Sequence, residues 1–326
     1  MKVSIIISNY NYARYLNTAI ESVIAQNYQK FEIIVVDDGS KDNSREVILE
    51  LQEKYPNKIK AIFQENQGQG GAFNTGFQAS NGEIIAFLDA DDVWKPNKLQ
   101  QIVEIFQQPE IVGVMHLLEE VDSDGNLLTT KSPKRYKLGE DLAKVVIQTG
   151  NAWNFPPTSA LSYRRSILEQ VFPIDPIRWR IWADGCLIYS TAFLGKIKTI
   201  NLVLGGYRIH GANNHASAEV TKEQTTKALL GIEMTNKYIN EFLENINCPH
   251  RVDLSRNLQL RREQYYEQKI WNFGESCSIS GLILGWKFYS WYERIYYLTR
   301  FWAKNFKIYF QNSFLSRQKN TKQFAK

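Results

Sequence analysis

Four short apolar runs separated by helical spacing confine the first third of this chain to one kind of fold. The runs cover residues 3–8, 32–37, 59–63 and 83–88, and aliphatic or Phe side chains dominate each. Runs of this length, without strict polar alternation, describe strands buried on both faces. Between the first two, Leu16, Ala19, Ile20, Val23 and Ile24 share one helical face; between the second and third, Val47, Ile48 and Leu51 do the same. After the fourth, Leu99, Ile102, Val103 and Phe106 form another face, with Pro96 positioned for the first helical turn. Strand, helix, strand at this rhythm predicts an α/β domain in which helices sandwich a parallel sheet. A fifth strand is expected at 111–121, followed by a hairpin turn at Ser123-Asp124-Gly125-Asn126. With 326 residues the chain can form one large domain and an appendage, and beyond residue 221 the pattern turns helical.

Ligands of open parallel sheets bind beyond the carboxyl ends of the strands. Three of the four strands end there in polar clusters: Ser8-Asn9-Tyr10-Asn11, Asp37-Asp38-Gly39-Ser40 and Asp89-Ala90-Asp91-Asp92. Asp89 and Asp91 lie two apart on extended backbone, so their carboxylates point the same way and can hold a hard cation. Mg²⁺ or Mn²⁺ in that position would neutralise a departing diphosphate. The competing reading is an acidic turn into a helix, with Asp92 as its cap. Asp37 and Asp38 can accept from a pyrimidine N–H or a ribose hydroxyl. They equally suit a turn in which Gly39 takes a positive φ and Ser40 or Asn43 caps the next helix. Tyr10 can stack on a base or belong to the core.

Other chemistries are excluded by what the motifs lack. Gly68-Gln69-Gly70-Gly71 looks at first like a dinucleotide fingerprint, but Phe73 occupies the position of the required third glycine. That argues against a nicotinamide-dependent oxidoreductase. There is no Walker A sequence and no H-E-x-x-H zinc motif. Cys186, Cys248 and Cys277 are far apart and without metal-ligand spacing, as expected of buried thiols in a reducing compartment. The apolar run at the start is too short for a signal peptide, and no stretch reaches the roughly 18 apolar residues of a spanning helix. A cytoplasmic location follows as an expectation.

In their order and spacing, five stretches resemble the family 2 glycosyltransferases of the GT-A fold. They are VSIIISNYN at 3–11, FEIIVVDDGS at 31–40, NQG at 66–68, NTG at 74–76 and GEIIAFLDADD at 82–92. The resemblance is close over residues 1–115 and implies a nucleotide-sugar pocket formed by Ser8, Tyr10, Asp38 and Asp89. It also implies a diphosphate-bound Mn²⁺ or Mg²⁺ on Asp89 and Asp91. Many members of that family carry a basic residue just before the Asn-x-Gly segment, where this chain has Phe73, so a diphosphate contact from that position is not implied. Residues 116–220 resemble the family's acceptor half, through Trp182-Ala183-Asp184-Gly185, a helical run at 187–194 and Tyr207-Arg208-Ile209-His210-Gly211. By that resemblance Asp184 is the general base and inversion is the stereochemical outcome. A carboxylate that removes the proton of an attacking hydroxyl is what sugar transfer requires. Read without the resemblance, Asp184 is as well explained by the helix dipole. His210 either completes the metal shell, contacts phosphate or is simply hydrogen-bonded. The proline-bearing loop at 154–159 is expected to border the acceptor site. Arg164 and Arg165, which follow it, are expected either to contact phosphate or to cap a helix.

The expected organisation is a GT-A domain at 1–220, with a nucleotide-sugar half at 1–115, and a helical segment at 221–326. The chain carries a net charge of +5, distributed unevenly: residues 251–326 hold 14 Lys/Arg against 5 Asp/Glu, and the rest 25 against 29. This basic tail is also rich in Trp, Tyr and Phe from Trp286 to Phe310. That combination suits an anionic membrane surface better than nucleic acid, and so a lipid-linked acceptor in cell-surface polysaccharide or glycolipid assembly. Packing of these aromatics on the catalytic domain or on a second subunit explains them equally well. UDP- or dTDP-sugars are the default donors of the resemblance. The competing function is a nucleotide-sugar binding protein without transferase activity.

Overall fold

The computed structural model describes residues 1–128, 141–211 and 222–323. Its elements run β1 (Val3–Asn9), α1 (Ala13–Ile24), β2 (Phe31–Asp37), α2 (Ser44–Lys54), β3 (Ile59–Phe63), α3 (Gly68–Ala79) and β4 (Ile84–Asp89). β5 (Val93–Trp94), α4 (Lys98–Ile105), β6 (Ile111–Val121), α5 (Leu142–Thr149), β7 (Leu161–Arg164), α6 (Arg165–Leu168), α7 (Ala183–Thr191) and β8 (Lys196–Arg208) follow. The chain ends in α8 (Lys222–Asn245), α9 (Leu258–Gln268), α10 (Phe273–Gly285) and α11 (Trp291–Gln323). It divides into two compact units, residues 1–143 with 154–220, and residues 144–153 with 221–326.

In the first unit, eight strands form one sheet in the order β3-β2-β1-β4-β7-β6-β8-β5. The first four are parallel, as their apolar runs and intervening helices predict. Alternate side chains of each strand serve opposite faces. Val3, Ile5, Ile7, Ile33, Val35, Ile84, Ala86 and Leu88 pack with the apolar stripes of α1, α2 and α4. Ile34 and Val36 pack with Ala72 of α3 on the other side.

The remainder of the sheet is mixed, which local patterning does not reveal. β7 runs antiparallel between β4 and β6, β8 runs parallel to β6, and β5 is antiparallel to β8. The turn after β6 forms as expected, with Gly125 at φ +89° and the Asp122 N–H donating to Asn126. Beyond it Val121 bridges Leu127 in antiparallel fashion and the Leu128 N–H donates to the Glu120 carbonyl, while β7 and β8 are the ladder partners of β6. Pro96 lies before α4 and its Asn97 N-cap, not in the first turn, and its carbonyl accepts from the Asn27 N–H.

The second unit has its own core, where Leu258, Tyr265, Ile279, Ile283 and Phe301 pack together. Trp291, Tyr292, Phe306 and Phe310 of α11 are exposed, among Arg300, Lys304 and Lys307. Among the described residues no helix is long and apolar enough to cross a membrane. The three cysteines form no disulfide; Cys186 is buried as expected, but Cys248 is half-buried and Cys277 exposed.

Candidate active site

Parallel register brings the polar strand ends together. Asn9 lies beside Asp37 across β1 and β2, and Ser8 beside Asp89 across β1 and β4. A cleft of about 560 Å³ opens over this edge. Ser8, Tyr10, Asp38, Asp89, Asp91 and Asp184 all line it.

The two aspartates after β2 have different tasks. Asp37 is buried and builds the turn: its Oδ1 accepts from Asn9 Nδ2 at 2.7 Å and from Ser40 Oγ at 2.5 Å. Gly39 takes the expected positive φ, +77°. Neither Ser40 nor Asn43 caps α2 with its side chain; Asp42 accepts from the Ser44 N–H instead, at 3.0 Å. Asp38 holds the loop between β3 and α3. Its Oδ1 accepts from Gln64 Nε2 (2.7 Å) and the Gln67 N–H (2.8 Å), and its Oδ2 from the Gly68 N–H (2.7 Å). A carboxylate has about four lone-pair sites, so one remains for a ligand. Tyr10 is 46% exposed at the cleft and is no core aromatic.

The acidic run after β4 splits in the same way. Asp92 is fully buried and caps no helix. Its Oδ2 accepts from Ser159 Oγ at 2.6 Å and its Oδ1 from the Arg208 N–H at 2.9 Å. Ser159 Oγ in turn accepts from the Asp89 N–H at 3.0 Å. Asp91 Oδ2 is 3.0 Å from His210 Nε2, and the His210 ring stacks on Tyr15 with centroids 4.9 Å apart. Burial, then the charges of Asp91, Asp92 and Asp184, push the Asp89 carboxyl well above the ordinary range. Among the described residues, no three His, Cys, Asp or Glu side chains are grouped to hold a metal ion by themselves.

Asp184 sits in the first turn of α7, which begins four residues before the predicted helical run. It is 8% exposed. Burial raises its carboxyl to about 6, against hydrogen bonds from the Gly185 N–H and Thr158 that hold it down. Trp182, which precedes the helix, adopts φ +61°, a conformation rare for a bulky side chain. Such strain at a cleft persists only where the surrounding structure enforces it.

Two residues of the site, Gln69 and Arg180, were not evident in the sequence. Gln69 Nε2 lies 3.4 Å from both Asp89 Oδ1 and Thr158 Oγ1, while its Oε1 accepts from the Ala183 N–H at 2.9 Å. Ser159 joins Asp89 to Asp92. Arg180 lines the cleft and donates to the Asn66 side-chain carbonyl. The glycine stretch explains how Arg180 comes so close: a Cβ on Gly68 would stand 2.4 Å from the Arg180 carbonyl, and one on Gly70 2.7 Å from that of Trp179. The N–H groups of Gln69 and Gly70 donate to those same carbonyls. These glycines therefore seat a distant loop and leave the start of α3 no phosphate cradle.

The phosphate alternative for the two arginines fails. Arg164 and Arg165 take no part in the cleft, because antiparallel β7 sets Arg164 opposite Ile84, at the other end of β4. Arg164 donates to the carbonyls of Phe106, Gln108 and Ile111, and Arg165 to the Gly82 carbonyl and Ser80 Oγ. Of the loop before them, Pro157 and Thr158 do line the cleft. Phe73 is fully buried against Phe87, with centroids 4.8 Å apart.

Two solved structures with nucleotide sugars bound share this fold. TarS of S. aureus in complex with UDP-GlcNAc matches with a TM-score of 0.56 and 19% identity, covering 87% of this chain and 81% of that one. The mannosyltransferase PcManGT from Pyrobaculum calidifontis, in complex with GDP-Man and Mn²⁺, matches at 0.52 and 17%, covering 87% and 74%. The fold is thus that of the GT-A glycosyltransferases. Within that class the chain belongs to glycosyl transferase family 2, whose profile matches residues 4–172. It is 63% identical over 309 residues to alr2836, an uncharacterized glycosyltransferase of Nostoc sp., across 94% of this chain and 96% of that protein.

Proposed function

We propose that this protein transfers a sugar, with inversion, from a nucleoside-diphosphate sugar to an acceptor hydroxyl. The observation that carries this reading is Asp184: a nearly buried carboxylate, raised to about 6, in one cleft with Asp38, Asp89 and Asp91. At neutral pH it is ionised and basic enough to accept a proton. The acceptor hydroxyl gives its proton to Asp184 as its oxygen bonds to the anomeric carbon. The bond from that carbon to the diphosphate breaks, and the nucleoside diphosphate leaves with the electron pair. Ser8, Tyr10 and Asp38 hold the nucleoside, with Tyr10 offering its exposed ring for stacking.

Asp89 and Asp91, with His210 beside Asp91, are the residues that would hold Mn²⁺ or Mg²⁺, and only together with the donor's diphosphate oxygens, since the described residues group no three protein ligands. Two carboxylates and an imidazole suit Mn²⁺ in donor type, and diphosphate oxygens and water can complete its shell. When bound, the ion supplies neutralisation of the charge on the leaving diphosphate. Asp89 and Asp91 both line the cleft and His210 Nε2 stands 3.0 Å from Asp91 Oδ2, which supports cation binding there.

UDP- or dTDP-sugars are the favoured donors; the TarS structure with UDP-GlcNAc supports the first, and the PcManGT structure with GDP-Man keeps GDP-sugars in the panel. The exposed aromatic and basic side chains of α11 support a lipid-linked acceptor at the inner face of the membrane, in cell-surface polysaccharide or glycolipid assembly. The test is release of nucleoside diphosphate from UDP-, dTDP- and GDP-sugars with Mn²⁺, with and without a lipid extract as acceptor source. Release by the wild type and its loss in Asp184→Asn is the expected result. No release from any donor under any condition would leave a nucleotide-sugar binding protein as the better reading.

A further inference from the structure

The cleft has an electrostatic difficulty. Asp38, Asp89, Asp91 and Asp184 line it, and the proposed donor brings a diphosphate. One divalent cation offsets only part of that negative charge. Among the described lining residues, Arg180 is the one Lys or Arg. Phe73, on α3, is buried and supplies no charge.

Arg180 is built into place. Its carbonyl accepts the Gln69 N–H at 2.8 Å, and its backbone lies against Gly68, where no side chain larger than hydrogen fits. Its guanidinium donates to the Asn66 side-chain carbonyl, and Asn66 Nδ2 donates to the Asp38 carbonyl at 2.9 Å. The cation is thereby tied to the same loop that Asp38 organises. Guanidinium has five N–H donors in a planar fork matched to phosphate oxygens, more than Asn66 can accept.

We propose that Arg180 reads the diphosphate of the donor, its guanidinium contacting non-bridging phosphate oxygens while Asn66 fixes its orientation. This rests on the cleft being a nucleotide-sugar site, and its test separates the two claims. Wild type, Arg180→Gln and Arg180→Lys are titrated calorimetrically with UDP, dTDP and GDP and with the matching nucleosides, all in Mn²⁺. Unchanged melting temperatures serve as the control for folding. A charge-assisted phosphate contact predicts that Arg180→Gln weakens the preferred nucleoside diphosphate about 10- to 100-fold. The nucleoside, which has no phosphate, should bind the variant as it binds the wild type. Arg180→Lys should recover part of the loss, since a point charge replaces a fork.

Equal binding of the nucleoside diphosphate by Arg180→Gln and the wild type would overturn the assignment. So would an equal loss for nucleoside and nucleoside diphosphate, which would mean that Arg180 shapes the base pocket or the loop instead. If the wild type bound no nucleoside diphosphate at all, the underlying reading of the cleft would fail first, and Arg180 with it.

Discussion

Gln69 accepts the backbone N–H of Ala183 at 2.9 Å across 114 positions of chain. The same side-chain amide approaches Asp89 at its other end. One residue at the start of α3 thus reaches both the β4 carboxylate and the helix turn that carries Asp184. Gln69→Ala removes that tie. Supporting residues of this kind commonly matter 10- to 100-fold, so turnover should fall by about that factor. Stability should fall by about 1 kcal/mol for the lost buried hydrogen bond. Steady-state kinetics and thermal melting measure the two effects separately.

The raised carboxyl of Asp184 fixes a pH dependence. A base with a value of about 6 is protonated and inactive below it and ionised above it. kcat/KM should therefore rise with pH along a limb centred near 6 and level off by about pH 7. Asp184→Asn should lose about 10²- to 10⁴-fold in turnover at pH 7.5 while still binding nucleoside diphosphate. A pH–rate profile and a calorimetric titration of the variant check both parts.

The same residue should weigh against stability. Its carboxyl moves from an ordinary 3.8 to about 6 on folding, so between those values the folded chain holds a proton that the unfolded chain has released. Stability therefore falls as pH rises through that window, by on the order of 1–3 kcal/mol. Asp184→Asn does not titrate and escapes the loss. It should melt above the wild type at pH 8, with the difference vanishing near pH 4. Paired melting curves at the two pH values would expose the opposite sign.

The contact of His210 with Asp91 at 3.0 Å predicts a metal phenotype. His210→Ala should raise the Mn²⁺ concentration needed for half-maximal turnover about tenfold or more, and saturating Mn²⁺ should restore part of the rate. An unchanged Mn²⁺ requirement would assign His210 to packing on Tyr15 alone.

What the sequence disclosed follows the range of each interaction. Strands β1 to β4 were legible because their apolar runs and the helices between them are local signals, and parallel pairing then aligned Ser8, Asp38 and Asp89 at one edge. The roles of Arg164 and Arg165 were not, since they depend on β7 inserting antiparallel beside β4, a pairing across some 80 residues. Gln69 and Arg180 were missed for a related reason. Gly68 and Gly70 signal a close backbone approach, but nothing local identifies Trp179 and Arg180 as the chain that approaches. Asp37 and Asp92 resemble their neighbours Asp38 and Asp91 in sequence, and only their hydrogen bonds assign them to turn-building and to holding Ser159.

Sugar transfer by this cleft depends on its binding a nucleoside diphosphate with the help of a divalent cation. Calorimetric titration of the wild-type protein with UDP, dTDP and GDP, each in Mn²⁺ and again in EDTA, tests it directly. One of the three should bind clearly in Mn²⁺ and much more weakly in EDTA. Absence of binding by all three in both conditions would contradict it.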